Sequence, residues 1–224
     1  MNCKLKLKLL IVFLLSVNSI AFAQLVVITN SSYDSLLRLN PNEKLKLLNV
    51  KGFKSDIRYA TSNNFTHQMV YDTAVIFLAT DAHKALLGVI DDLKKQNLGL
   101  VIYDAYRPYQ YTIKFWELIH DDRYVANPSK GSRHNRGCAI DVGLYNLLTD
   151  EYLLMPTPYD DFSEKAGLSS SNDWTKEQKK NVALLQAAMI KNGFQTFSTE
   201  WWHFDFKGWA AHPIFDVSFQ YLLK

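Results

Sequence analysis

The sequence predicts an α+β fold, a small and mainly antiparallel sheet flanked by helices, and three observations carry that expectation. Two segments repeat apolar residues at three- and four-residue spacings. Short β-branched and aromatic runs fall between them at irregular intervals. No strand–helix–strand unit recurs and no glycine-rich phosphate loop is present. In chain order, residues 81–96 are expected as a helix, because Ala82, Leu86, Val89, Ile90 and Leu93 share one face, Thr80 offers a cap, and Asn97 and Gly99 end the run. Residues 100–103 follow as a strand. Residues 109–120 form a second helix, with Pro108 suited to its first turn. Residues 138–145 are an apolar strand. A third helix over 175–192 opens on the capping pattern Thr175-x-x-Gln178, buries Val182, Leu185, Ala188 and Met189, and stops at Gly193. Phe194–Phe197 and residues 201–206 complete the strands.

The chain has 224 residues, 48% of them hydrophobic, and no internal repeat or flexible linker, so residues 24–224 are expected to form one domain. Residues 1–23 read differently. Lys4, Lys6 and Lys8 precede an apolar run over 9–17, and Ala21-Phe22-Ala23 makes a cleavage site before Gln24, the pattern of a secretory signal peptide. The run is too short for a membrane anchor, and Ser16, Asn18 and Ser19 interrupt it. Losing three lysines from a net charge of +3 leaves the remainder neutral. With no basic cluster there, nucleic acid is not an expected partner. Cys3 departs with the signal, so Cys138 has no partner for an intramolecular disulfide and is expected as a small buried hydrophobe. The expected product is exported, to a periplasm or beyond, and no feature of the sequence specifies its oligomeric state.

The chemistry is concentrated in two segments, S-R-H-N-R-G-C-A-I-D over 132–141 and E-W-W-H over 200–203. Together they hold two imidazoles and two carboxylates. A catalytic zinc takes three protein ligands and keeps a fourth position for water; His134, Asp141 and His203 fit that count and leave Glu200 as a base. Residues seven apart point to opposite faces of a regular strand, so His134 must sit on a loop entering the strand that carries Asp141, with Gly131 and Gly137 permitting the bend. Glu200 and His203, three apart, have the same parity problem. A turn or bulge near Trp201 and Trp202 is therefore required.

The joint pattern S-x-H-x-x-G-x-A-x-D followed by E-x-W-H resembles the signature of the zinc D-alanyl-D-alanine dipeptidases of the VanX type. Three further segments resemble the same family: S-D-I-R-Y-A-T-S-N-N-F over 55–65, Y-D-A-Y-R-P over 103–108, and M-P-T-P-Y-D over 155–160, where the family reads M-G-T-P-F-D. The resemblance implies the zinc D,D-peptidase, hedgehog-like fold and one Zn²⁺ per chain held by His134, Asp141 and His203. It implies Glu200 as general base and acid, Arg107 as transition-state stabiliser with Asp104 orienting it, and Ser132 and Asp160 as substrate contacts. Asp160 would hold the free ammonium of a small dipeptide, D-alanyl-D-alanine. The departure at Pro156 bears on the loop that carries Asp160.

Two rival readings differ from this one. A D,D-carboxypeptidase or peptidoglycan endopeptidase would use the same ligands on acylated peptides, and the Asp160 carboxylate argues against it. A non-catalytic zinc-binding module would not need Glu200 and Arg107. Among the remaining candidates, His67, His83, His120 and His212 are expected in structural or surface roles, Arg58 as a partner of Asp56 in preference to a substrate contact, Arg133 and Arg136 as exposed loop residues in preference to shaping the cleft, and Trp201, Trp202 and Trp209 as core or pocket wall.

Overall fold

The computed structural model describes residues 25–122 and 124–224, so the signal segment expected over 1–23 lies outside the described residues. Short β1 (Val27–Thr29) leads into α1 (Asn30–Leu39), then β2 (Leu45–Leu47), β3 (Phe53–Ser55) and β4 (Phe77–Ala79). The expected helix follows as α2 (Thr80–Lys94), then β5 (Leu98–Asp104), α3 (Tyr109–Ile119) and β6 (Ala139–Asn146). The chain closes with α4 (Lys176–Lys191), β7 (Phe194–Phe197), β8 (Glu200–Phe206), β9 (Ile214–Asp216) and α5 (Phe219–Leu222). No helix among the described residues is long and apolar enough to cross a membrane.

Five strands form the main sheet in the order β3-β5-β6-β8-β7. The β5-β6, β6-β8 and β8-β7 pairs are antiparallel, and only the edge strand β3 runs parallel to its neighbour. Two small two-stranded sheets, parallel β1-β9 and antiparallel β2-β4, lie apart from it. The expected α+β architecture is therefore present.

Strand alternation divides the main sheet chemically. Leu100 and Ile102 of β5 pair with Leu144 and Val142 of β6, and Ile140 pairs with Phe204 of β8, so the centre of one face is apolar. Helices α2 and α4 contact each other and that sheet, and bury Leu86, Val89 and Leu93 of one and Val182, Leu185 and Met189 of the other. The opposite face presents Asp141 and His203, and carries the chemistry.

Helix ends follow local rules with two adjustments. The Thr175–Gln178 capping box forms as expected, the Thr175 hydroxyl accepting from Gln178 N at 3.2 Å and the Gln178 side chain accepting from Thr175 N at 2.9 Å. Thr80 is not a cap. It opens α2 behind Ala79, and its hydroxyl donates instead to the Lys44 carbonyl at 2.8 Å, tying the helix to the β2 segment. Pro108 precedes the first turn of α3 rather than occupying it.

Candidate active site

The His134 segment behaves as its parity demands. A single 3-10 turn, His134–Arg136, leads into β6, bounded by Gly131 at φ +67° and Gly137 at φ +64°. A Cβ at Gly137 would lie 2.6 Å from the Ala79 backbone nitrogen, so a side chain is excluded twice over, by backbone conformation and by space. Asn135, fully buried, knits the turn together: its amide donates to Arg107 O at 2.8 Å and Thr112 Oγ1 at 2.8 Å, while its carbonyl oxygen accepts from Ser132 N at 2.7 Å. His134 Nδ1 lies 2.6 Å from the Ala105 carbonyl. A carbonyl can only accept, so Nδ1 carries the hydrogen and Nε2 is left with a free lone pair.

Asp141 and His203 are direct cross-strand partners on β6 and β8, which brings their side chains together on the polar face. The required bulge is present. Thr196 pairs with Phe204 and Phe197 with Glu200, so one step on β7 spans residues 201–203 on β8. The displaced residues send Trp201 and Trp202 into the core while Glu200 and His203 both line the cleft.

His134 Nε2, His203 Nδ1 and Asp141 Oδ1 form a triangle with edges of 3.3, 2.9 and 3.5 Å. Tetrahedral zinc with bonds of about 2.0–2.1 Å requires ligand atoms about 3.3 Å apart, so the site matches both the donor set and the size of that ion. The outer bonds select the correct tautomers. Asp205 Oδ1 accepts from His203 Nε2 at 3.0 Å, which turns Nδ1 towards the triangle. Asp205 is itself held by Arg133 at 2.6 Å. Burial opposes charge on both members of the cross-strand pair, yet His134 and His203 hold Asp141 ionised far below the usual carboxylate range, and bonds to Asp141 and Asp205 raise His203 well above ordinary imidazole. A cation entering the triangle takes over the work of that proton.

The other expected residues surround this triangle. Glu200 Oε2 lies 3.9 Å from His203 Nδ1, and burial, with a contribution from Asp141, raises its carboxyl to about 7 against the pull of His203, His134 and Arg107. Arg107 donates through Nη2 to Asp104 Oδ2 at 2.7 Å and through Nε to the same oxygen at 3.1 Å and the Tyr71 hydroxyl at 3.2 Å. Its guanidinium lies over Phe115 at 4.8 Å and Tyr59 at 5.4 Å. Asp104, 1% exposed, also accepts from Tyr71 and from Ala105 N, so the expected orienting role has a complete set of bonds behind it. Ser132 Oγ accepts from His134 N at 3.2 Å, at the cleft wall.

Asp160 sits at φ +62° in the loop after β6. Its Oδ1 accepts from the Tyr59 hydroxyl at 3.1 Å, and its buried Oδ2 has no partner among the described residues. Burial, then repulsion from Asp141, pushes this carboxyl well above its usual range. Arg107, Ser132, His134, Asp141, Asp160, Glu200 and His203 line one cavity of about 380 Å³, a normal size for a small-ligand site.

Arg133 and Arg136 are not the free loop residues expected: Arg133 pairs with Asp205, Arg136 donates to the His212 carbonyl, and both guanidinia approach the Trp209 ring. His212 is structural as expected, buried against Glu43 at 2.9 Å, and Arg58 pairs with Asp56 at 3.0 Å. Sequence reasoning missed Asp205, Asn135, Tyr59, Tyr71 and Tyr159. Asp205 was within reach, because a residue two beyond His203 on one strand shares its face.

A family model described as D-ala-D-ala dipeptidase matches residues 43–220. A D-alanyl-D-alanine dipeptidase of Escherichia coli (strain K12) is 36% identical over 162 residues, covering 71% of this chain and 81% of that protein. One from Enterococcus faecium is 30% identical over 175 residues, covering 69% and 86%. A solved vancomycin-resistance D,D-dipeptidase, in complex with a D-Ala-D-Ala phosphinate analogue, aligns over 61% of this chain and 53% of its own at 19% identity with a TM-score of 0.40, a distant likeness. With a match over most of its length and a metal triangle of the right donors, the chain belongs to the Peptidase M15 family of D-ala-D-ala dipeptidases, which are zinc metallopeptidases.

Proposed function

We propose that this chain hydrolyses the free dipeptide D-alanyl-D-alanine to two molecules of D-alanine, with His134, Asp141 and His203 holding zinc. The observation that carries the choice of a free dipeptide is the buried, unpartnered Oδ2 of Asp160. A buried carboxyl with an open acceptor position is matched by an ammonium, which supplies both a donor and the charge that restores the ionised form. An acylated peptide has neither, and would leave that oxygen orphaned.

Zinc in the triangle supplies Lewis-acid polarisation and a water acidic enough to act near neutrality. Glu200 takes the proton of the attacking water and returns it to the leaving amine as the peptide C–N bond breaks. A carboxyl poised near 7 suits both transfers. Negative charge gathers on the former carbonyl oxygen as its carbon becomes tetrahedral, and Arg107 faces it with a guanidinium that cannot lose its proton. Two of its nitrogens are fixed on Asp104, which holds the guanidinium at the cleft wall. Ser132 and Asp160, both in the wall of the cleft, would contact the substrate.

The deciding assay measures D-alanine released by the zinc-loaded 24–224 protein from D-Ala-D-Ala and from N-acetyl-D-Ala-D-Ala. Turnover confined to the free dipeptide is expected. Cleavage chiefly of the acylated substrate would make the protein a D,D-carboxypeptidase and remove Asp160 from ammonium binding.

The leader-like residues 1–23 support export to the periplasm, where the substrate would be dipeptide released from cell-wall material and the role turnover or scavenging. Fractionation of expressing cells tests this: uncleaved protein in the cytoplasm would overturn it.

A further inference from the structure

The two oxygens of Asp141 have different neighbours. Oδ1 faces His203 at 2.9 Å and His134 at 3.5 Å, inside the metal triangle. Oδ2 points away and accepts a hydrogen bond from the Tyr159 hydroxyl at 2.9 Å. We propose that Tyr159 is a positioning residue for the metal, its hydroxyl holding Oδ2 so that Asp141 presents Oδ1 alone to zinc. This inference rests on the metal site of the function proposed above.

Tyr159 is built to hold a hydroxyl in one place. Its ring stacks on Tyr103 with centroids 4.6 Å apart and planes 18° from parallel, and meets Trp202 edge-on at 5.5 Å. Only 7% of the residue is exposed. Beneath Tyr103, Gly143 supplies the room for that stack, since a Cβ there would lie 2.8 Å from the Tyr103 hydroxyl.

The neighbouring phenol, Tyr59, is close but occupied elsewhere. It donates to Asp160 at 3.1 Å, and the two hydroxyl oxygens stand 3.4 Å apart, longer than a good O–H···O bond. Each phenol has one proton, so each serves one carboxylate: Tyr159 the metal side, Tyr59 the substrate side. Asp141 is 3% exposed, so water is a poor replacement for the lost donor. Without it the carboxylate gains by rotating its second oxygen towards the cation, which changes both coordination and affinity.

The segment carrying this residue reads M-P-T-P-Y-D where the family pattern set out above has phenylalanine. Tyr159→Phe therefore restores that pattern, deletes one oxygen and keeps the ring stack. Zinc affinity, measured by competition with a chromophoric chelator, is expected to fall about 10- to 100-fold, the usual loss when an outer-shell partner of a metal ligand is removed. The visible absorption of the Co²⁺-substituted protein should change with it, reporting altered coordination. Tyr59→Phe is the control, expected to raise KM and leave zinc affinity as it was. Unchanged affinity and an unchanged cobalt spectrum in Tyr159→Phe would overturn the proposal while leaving the metal site intact. Equal losses in both variants would also overturn it, by showing a general loosening of the phenol pair. Absence of zinc binding in the unmodified protein would bring down this inference and the metal reading together.

Discussion

Replacing Arg107 by lysine tests the electrostatic part of the mechanism with the charge conserved. The arginine divides its labour: Nε and Nη2 are anchored on Asp104 and Tyr71, and the same guanidinium lines the cleft. A lysine has one nitrogen at the end of a flexible stem and cannot do both. If it stays with Asp104, the developing oxyanion loses its donor; if it reaches into the cleft, a carboxylate that is 1% exposed loses its cation. Either way kcat/KM should fall about 100- to 1,000-fold, or about 2.7–4 kcal/mol in transition-state stabilisation. Loss of a charged hydrogen bond should also cost about 1.5–3 kcal/mol of stability. For a domain of this size that lowers Tm by roughly 3–12 °C. Steady-state kinetics on D-Ala-D-Ala, a melting curve and zinc content of the same preparation separate the effects, and kcat should carry more of the loss than KM. A decrease below tenfold at full zinc occupancy would refute the assignment of Arg107 to the transition state.

Asp205→Asn removes the charge that holds the His203 tautomer and the Arg133 guanidinium, and zinc affinity should drop by about tenfold in chelator competition; equal affinity would reduce Asp205 to a spacer. Thr175→Ala deletes the cap of α4, a residue that does not line the cleft, and should lower stability by ~1 kcal/mol with kcat/KM unchanged, measured by denaturant titration and steady-state kinetics; a change in kcat/KM would show that α4 acts on the site through the bonds of Gln178 to Met155 and Pro156. The Cys138 thiol is fully buried and burial pushes its pKa up, so in the 24–224 protein it should resist a thiol reagent until denaturant is added; rapid labelling of the native protein would contradict its burial.

Periodicity located α2 and α4 because a helix packed against a sheet must repeat its apolar residues every three to four positions, and Leu86, Leu93, Leu185 and Met189 do so. Parity did more for the site than composition. The odd spacings of His134 from Asp141 and of Glu200 from His203 required the turn before β6 and the bulge in β8, and both exist. The three-residue strands β1, β2, β4 and β9 were not legible, since a segment that short has no period to read and its pairing depends on residues far along the chain. Tyr59, Tyr71 and Tyr159 escaped for another reason. In a sequence a tyrosine among apolar neighbours reads as core, and its rings are indeed buried here, but each hydroxyl serves a carboxylate that only the folded chain brings near.

The metal triangle draws Asp141 and His203 from adjoining interior strands, and Arg107 hangs from Asp104 at the end of a third. Such strands exchange their amide hydrogens only when the whole sheet opens, whereas loops open alone at far smaller free-energy cost. Asp141 and His203 therefore share the lifetime of the native state itself, and His134 joins them from the turn that enters β6. The Asp160 loop lies outside the sheet but is bonded to it, through Tyr159 to Asp141 and through Thr157 to Trp201, so its opening would release a contact of the metal site as well. Sequence change at residues 159 and 160 therefore bears on the metal side and the substrate-reading side of the cleft together.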